Sequence, residues 1–444
     1  MKPSFPVGLP VLITLALLYT TFFQPTNFAK GDIYEPLEPT EGLPIVNDPK
    51  LKVEVVFEGL HFPTSMAFLG PADILITEKN EGTVQRLKSW KMQHNPILDV
   101  DVATRHSRGI LGISVAKNNE TKIFNGHDHR YVFVYFTRSS EPKDTNGARA
   151  EKSGGNVLYR YELKGSRLLD PLLLLELAPK KNPDHNGGAI MIGPDTNIYI
   201  PVGDGGNDTT ETQNVNDGGP PNGSGGILKI SQQGPLVQNK SDNVLIISKY
   251  YYAYGIRNSF GLAFDPVSGK LWDTENGPTF GDEINLVEPG FNSGWQRIQG
   301  IWKTDFEPRE GPEKGRIATE EIGGLVDFGG HGNYSAPEIT WSNTVAPTAL
   351  VFLTTDKIGQ EYKNDMFVSD IKYGNIYHFK LNDERTGFIL NGSIADKVID
   401  SDQEMNRLIF GTGFGGITDM EVGPDGYLYV LSFGKGMLYR ISPK

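Results

Sequence analysis

"GGAIMIGPDTNIYIPVGD", residues 187–204, is an apolar stretch, a Gly-Pro-Asp turn and a second apolar stretch. Ile190 and Ile192, then Ile198, Ile200 and Val202, repeat with period two. That period places alternate side chains on one face of a strand, and the Gly-Pro-Asp segment reverses the chain between two such strands. The same hairpin returns as "ITDMEVGPDGYLYVLSF" at 417–433. Looser versions occupy 64–78, 108–118, 259–275 and 347–359. A further strand follows each hairpin, at 82–87, 155–163, 225–231, 282–290, 374–381 and 436–442, so six units alternate strictly along the chain. Ordered repetition of a small sheet predicts an all-β fold, a six-bladed β-propeller with half-buried strands. The units are spaced more widely than the ~40–50 residues common for such repeats, and the excess lies in long polar loops such as 205–226 and 300–337.

One alternating strand, "LKVEVVFEGL" at 51–60, precedes the first unit, and the last unit ends at the C-terminus. Pairing of these two segments in the last blade would close the ring and remove exposed edges. Ahead of it, an apolar run from Val7 to Phe23 follows the single Lys2. It predicts a signal peptide or N-terminal anchor over 1–27, a proline-rich tether over 28–50 and the propeller over 51–444. The protein is therefore expected to be exported, either secreted or attached to the membrane at the cell surface. Sequons at Asn119, Asn207, Asn222, Asn239, Asn333 and Asn391 fit that expectation.

Composition narrows the chemistry. The 444 residues include 52 glycines and 29 prolines, as many short strands and tight turns require. There is no cysteine, which excludes disulfides, thiolate metal sites and thiol nucleophiles. The net charge of −12 argues against nucleic acid as a partner.

Candidate functional residues fall at strand ends. His185 precedes the hairpin quoted above and Asp204 follows it, so the turn returns them to one end of a blade. An imidazole oriented by a carboxylate is a general base near neutral pH. Asp184 is a second possible partner. Arg257 and Asn258 stand at the equivalent end of the next unit and suit a ligand bearing carboxylates or carbonyls. Lys372 adds a positive charge after the fifth unit's strand. In "ENGPTFGDEINL", residues 275–286, Gly277 and Pro278 can offer main-chain carbonyls to calcium, and Asp282 and Glu283 can hold a second, structural calcium.

Taken in order, "RGILGI", "DHNGGAIMIGPD", "GDGG", "YGIRNSFGLAFDP", "ENGPTFGDEINLVEPGFNSGW", "TVAPTALVF", "IKYGNIY" and "ITDMEVGPDGYLYVL" resemble the soluble glucose/sorbosone dehydrogenases that use pyrroloquinoline quinone (PQQ), including aldose sugar dehydrogenases. The resemblance runs over 51–444. It implies a quinone and calcium above the propeller channel, His185 as the base and Asp204 as its orienting group. Arg257, Asn258 and Lys372 then lie around PQQ, and Gly277 and Pro278 ligate calcium. The implied reaction is oxidation of an aldose to its lactone, with electrons leaving to an external acceptor. Three positions depart from the pattern. Ser107 stands where Gln or Glu is usual, and Gly416 and Thr418 replace the arginines of R-x-R-D. Two other readings remain open: a non-catalytic calcium-binding propeller of the same family that has lost PQQ, and a calcium-dependent hydrolase on a similar propeller.

Overall fold

The computed structural model describes residues 42–116, 123–124, 127–128, 130–141, 152–206, 214, 222–233, 248–304, 325 and 332–444. The apolar run at 7–23 and most of the long loops lie outside them, as do the sequons at Asn119, Asn207 and Asn239. Among the described residues no helix is long and apolar enough to cross a membrane.

The fold is an all-β propeller. Among the described residues, six sheets of four to six strands follow one another along the chain, with two two-stranded ribbons beside them. Each larger sheet begins with three consecutive antiparallel strands. In the first these are Pro63–Gly70, Asp73–Glu78 and Thr83–Lys88; in the fourth, Ser259–Phe264, Leu271–Glu275 and Asp282–Val287.

Packing between sheets explains their number of buried faces. Leu75 and Val84 of the first sheet pack on Ile110 and Val134 of the second, and Leu158 of the second on Ile198 and Ile200 of the third. Ile227 then meets Leu262, Trp272 meets Tyr377, and Phe367 meets Ile417 in succession. A last apolar cluster joins Leu431 and Leu438 of the sixth sheet to Ile74 and Ile76 of the first. The second strands are therefore covered on both sides. All five residues of Ile198–Val202, Leu271–Glu275, Met366–Asp370 and Leu428–Ser432 are buried. The half-buried strands expected from period two are thus fully buried at these positions, because a neighbouring sheet covers the second face.

Strand Leu51–Glu58 pairs antiparallel with the C-terminal strand Met437–Pro443, from Leu51 opposite Pro443 to Glu58 opposite Met437. Arg440 Nη2 donates to Glu54 Oε2 across this pair at 2.9 Å. The segment before it corrects the expected tether. Ile45–Val46 pairs with Ile409–Thr412, and Asn47 Nδ2 donates to Ile409 O at 2.7 Å, so residues 45–47 belong to the sheet. A two-residue strand suffices there because the neighbouring strand would otherwise present unpaired backbone groups.

Removal of residues 1–58 leaves Met437–Pro443 paired only with Leu428–Ser432 and exposes its outer backbone edge. The expected result is a lower melting temperature and self-association, read by thermal unfolding and light scattering. A monodisperse protein with an unchanged midpoint would show that the pairing contributes nothing to stability.

Candidate active site

The starts of the first strands and the ends of the second strands lie together because each pair is antiparallel. At this end the third sheet brings its two sequence candidates into contact. His185 Nδ1 lies 2.5 Å from Asp204 Oδ1. His185 has a left-handed backbone, φ 55°, and Asp204 follows the strand Ile198–Val202. Gly203 permits the close approach: a Cβ there would come within 2.7 Å of the carbonyl oxygens of His185 and Arg257.

Asp204 is held on both oxygens. Oδ1 accepts from Gly206 N at 2.9 Å, and Oδ2 accepts from Trp295 Nε1 at 2.8 Å. Trp295 was not a sequence candidate, although a buried indole N–H generally demands an acceptor and the tryptophan closes the motif "FNSGW". Burial raises the Asp204 carboxyl, but His185, Arg257 and the Gly206 N–H together bring it below the ordinary range. Burial, and then the Arg257 charge, lower the His185 imidazole, while Asp204 opposes them. The net direction favours neutral imidazole near pH 7. With Asp204 accepting from Nδ1–H, the lone pair lies on Nε2, as a general base requires.

The fourth sheet supplies the cation. Arg257 Nη1 donates to the carbonyls of Asn276 at 2.7 Å and Gly277 at 2.9 Å, and its guanidinium lies 5.3 Å from the Trp295 ring centre. Asn258 lies beside it, half-buried, and its carbonyl accepts from Asn276 N at 2.9 Å. The Gly277 carbonyl is therefore already engaged by one donor, whereas Pro278 is exposed. Lys372 donates to Thr344 O at 2.7 Å.

Asp282 and Glu283 are separated by the strand that carries them. Successive side chains point to opposite faces. Asp282 accepts from the backbone N–H of Gly277, Val345 and Ala346 at 2.6–2.7 Å, so it braces the Gly-Pro turn. Glu283 points to the other face and joins two acids that sequence reading missed. Glu275 lies opposite Glu283 in the ladder, and Asp273 lies opposite Asn285. Ser293 Oγ donates to Glu275 at 2.6 Å and contacts Glu283 at 3.3 Å. All three carboxylates are at most 1% exposed. Among the described residues, no hydrogen bond of good geometry reaches either Asp273 oxygen, Asn285 Oδ1, Gln299 Oε1 or Ser259 Oγ, although Ser259 and Asn285 lie beside Asp273. Among the described residues, no three acidic or histidine side chains converge to hold a metal. Even so, three carboxylates at this depth require protons or a cation to offset their charge.

Burial raises all three, Asp273 to about 7, Glu275 to about 8 and Glu283 well above its ordinary value, and neighbouring acids add to the rise at Glu275 and Glu283. A raised folded-state value means that the folded protein binds more protons, so these acids stabilise it below the unfolded pKa and lose that contribution as pH rises toward 8. In chelator the melting temperature should therefore fall between pH 5 and pH 8. Calcium should restore it at pH 8 more than at pH 5. Parallel curves with and without calcium would remove this cluster as a cation site.

The sixth sheet lacks the cationic anchors that the resemblance implies. Thr418 Oγ1 donates to Pro63 O at 2.8 Å and is buried. A Cβ on Gly416 would lie 2.8 Å from Ile371 O, so a larger residue there requires the backbone to move. Arg108 does not replace them; its Nη2 donates to Lys180 O at 2.8 Å and Asn182 O at 3.1 Å.

Replacing Trp295 by Phe keeps the ring but removes the donor to Asp204 Oδ2. A buried acceptor left unsatisfied costs about 1–3 kcal/mol, so stability should fall by that amount in denaturant titration. No loss would mean that water replaces the indole.

Comparison with known proteins completes the site. The glucose/sorbosone dehydrogenase family model matches residues 60–440. An aldose sugar dehydrogenase of Escherichia coli is 26% identical over 405 residues, covering 89% of this chain and 93% of that protein. Quinoprotein glucose dehydrogenase B of Acinetobacter calcoaceticus is 25% identical over 307 residues, covering 65% of this chain and 58% of that protein. The PQQ-bound aldose sugar dehydrogenase of Streptomyces coelicolor has a similar fold, with a TM-score of 0.60 at 20% identity, covering 90% of this chain and all of that one.

Proposed function

Because the chain belongs to the glucose/sorbosone dehydrogenase family, we propose that it is an exported sugar dehydrogenase that oxidises an aldose at its anomeric carbon with PQQ and calcium. The observation that carries this reading is the His185–Asp204 pair, with Asp204 fixed by Trp295 and the imidazole held neutral by burial. His185 Nε2 is the base for the C1 hydroxyl proton, and Asp204 keeps Nδ1–H in place and stabilises the imidazolium that forms. When bound, PQQ supplies a hydride acceptor and calcium polarises it.

The residues present fit these groups in part of the site. Arg257 and Lys372 would face the quinone's carboxylates with Asn258 beside them, and the Gly277 and Pro278 carbonyls would ligate calcium. The cluster around Asp273, whose oxygens no hydrogen bond of good geometry reaches among the described residues, has the hard oxygen donors that a second calcium prefers, and there Glu283 acts with Asp273 and Glu275 rather than with Asp282. The corner at Gly416 and Thr418 contributes no cation. That corner favours the alternative, a non-catalytic calcium-binding propeller that has lost PQQ. The ring itself is read as six blades, supported by the six larger sheets and by the pairing of Leu51–Glu58 with the last strand. Export rests on the apolar run at 7–23 and an external electron acceptor on the family.

The two readings separate on titration of PQQ into calcium-loaded protein. Stoichiometric uptake with aldose-dependent reduction of a dye supports the dehydrogenase; folded protein that takes up none supports the binding propeller. In a protein that turns over, His185→Ala should lower kcat by ~10²–10⁴ with PQQ still bound. Full turnover in that variant would place the base elsewhere.

A further inference from the structure

A second imidazole stands at the mouth of the site. His106 Nδ1 lies 3.1 Å from Asp184 Oδ1, and Asp184 immediately precedes His185. Like His185, His106 has a left-handed backbone, φ 52° against 55°. A bulky residue there is uncommon and persists where its surroundings fix it. The surroundings are visible. Ser107 Oγ donates to Pro183 O at 3.1 Å, and Asn186 Nδ2 donates to Ser107 Oγ at 3.1 Å. Arg108 bonds the carbonyls of Lys180 and Asn182. The loop around His106 is thus fastened to the segment that carries the base.

Asp184 belongs to the same mouth. Its charge acts on His185 and on Arg257, and a Cβ on Gly206 of the "GDGG" turn would lie 3.1 Å from its own Cβ. Ser107, Asn186 and Arg108 are engaged with protein atoms. His106 differs. Its side chain is 26% exposed, and among the described residues its Nε2 has no hydrogen-bond partner. Asp184 accepts at Nδ1, which leaves Nε2 as an acceptor directed by a fixed ring.

We infer that His106 Nε2 accepts a hydrogen bond from a hydroxyl of the aldose other than the one that His185 deprotonates, and so helps to select the sugar. This rests on the dehydrogenase reading above. His185 and His106 then form two acceptors, each set by its own aspartate, that read two hydroxyls of one ring. The partner class is a neutral polyhydroxylated sugar. A single-hydroxyl alcohol would engage His185 alone.

His106→Gly provides the test, because glycine suits a left-handed φ and should leave the fold intact. D-glucose is the probe, titrated against the unloaded protein and against protein loaded with calcium and PQQ, with imidazole ¹H–¹⁵N resonances as the readout. The His106 resonance, identified by its loss in the variant, should shift with sugar. Glucose affinity should drop about five- to tenfold in the variant, the effect of one neutral hydrogen bond. In turnover, KM should rise by the same factor with kcat changed less, and His106→Gln, which keeps an acceptor, should recover part of the loss. If the His185 resonance responds to sugar while that of His106 does not, or if His106→Gly binds glucose as wild type does, the role of His106 is overturned and the dehydrogenase reading stands. If neither imidazole responds in either form, both fall together.

Discussion

Burial of both faces of every sheet is the constraint on which the rest depends. A single four-stranded sheet of this composition has two apolar faces and cannot cover either alone. Stacking each sheet on the next covers both, as the successive clusters from Leu75 and Ile110 round to Leu438 and Ile74 do. At ~25 cal/mol per Å² of apolar surface removed from water, contacts of this kind supply the main favourable contribution to folding. The chain ends meet the same requirement, since Leu51–Glu58 lies on the last strand and satisfies its backbone.

Stacking this tight determines what happens to polar groups at the strand ends. The second strands of four sheets end in, or lead directly to, a buried acid: Glu78, Asp204, Glu275 and Asp370. Each receives backbone N–H groups from a neighbouring loop, as His61 N does for Glu78 and Gly374 N for Asp370. A carboxylate so placed pins the loop that enters the next strand. In the third sheet Asp204 takes Gly206 N from its own turn and, in addition, the His185 imidazole. In the fourth, three acids meet, and among the described residues no hydrogen bond of good geometry reaches Asp273. Burial lowers the imidazole in the first arrangement and raises the acids in the second.

The contrast between Asp282 and Glu283 shows how finely strand geometry sorts adjacent residues. One braces the Gly277 turn through three backbone N–H groups, and the other faces the acidic cluster. Their proximity in sequence suggested a shared ion. The period-two geometry of the same strand sends them to different faces.

Much of the molecule was legible in the order of its residues. Period-two apolar patterns and Gly-Pro-Asp turns are local properties, so strands and hairpins such as 187–204 could be read directly, and with them the meeting of His185 and Asp204 across one turn. The pairing of 51–58 with the C-terminal strand followed from the need to cover an edge. Other features depend on residues distant in the chain, where no local pattern reports. Trp295 reaches Asp204 from 91 positions away, and His106 reaches Asp184 from 78. The burial of both faces of the second strands, and the meeting of Asp273, Glu275 and Glu283 across a ladder, likewise required the sheets to be assembled. Sequence determined the strands and the contact of His185 with Asp204, because those are set by nearest neighbours and a single turn. Tertiary packing alone decided which donors fix that carboxylate, which acids meet across the ladder and which second histidine reaches Asp184, because each depends on the closeness of sheets that the chain visits far apart.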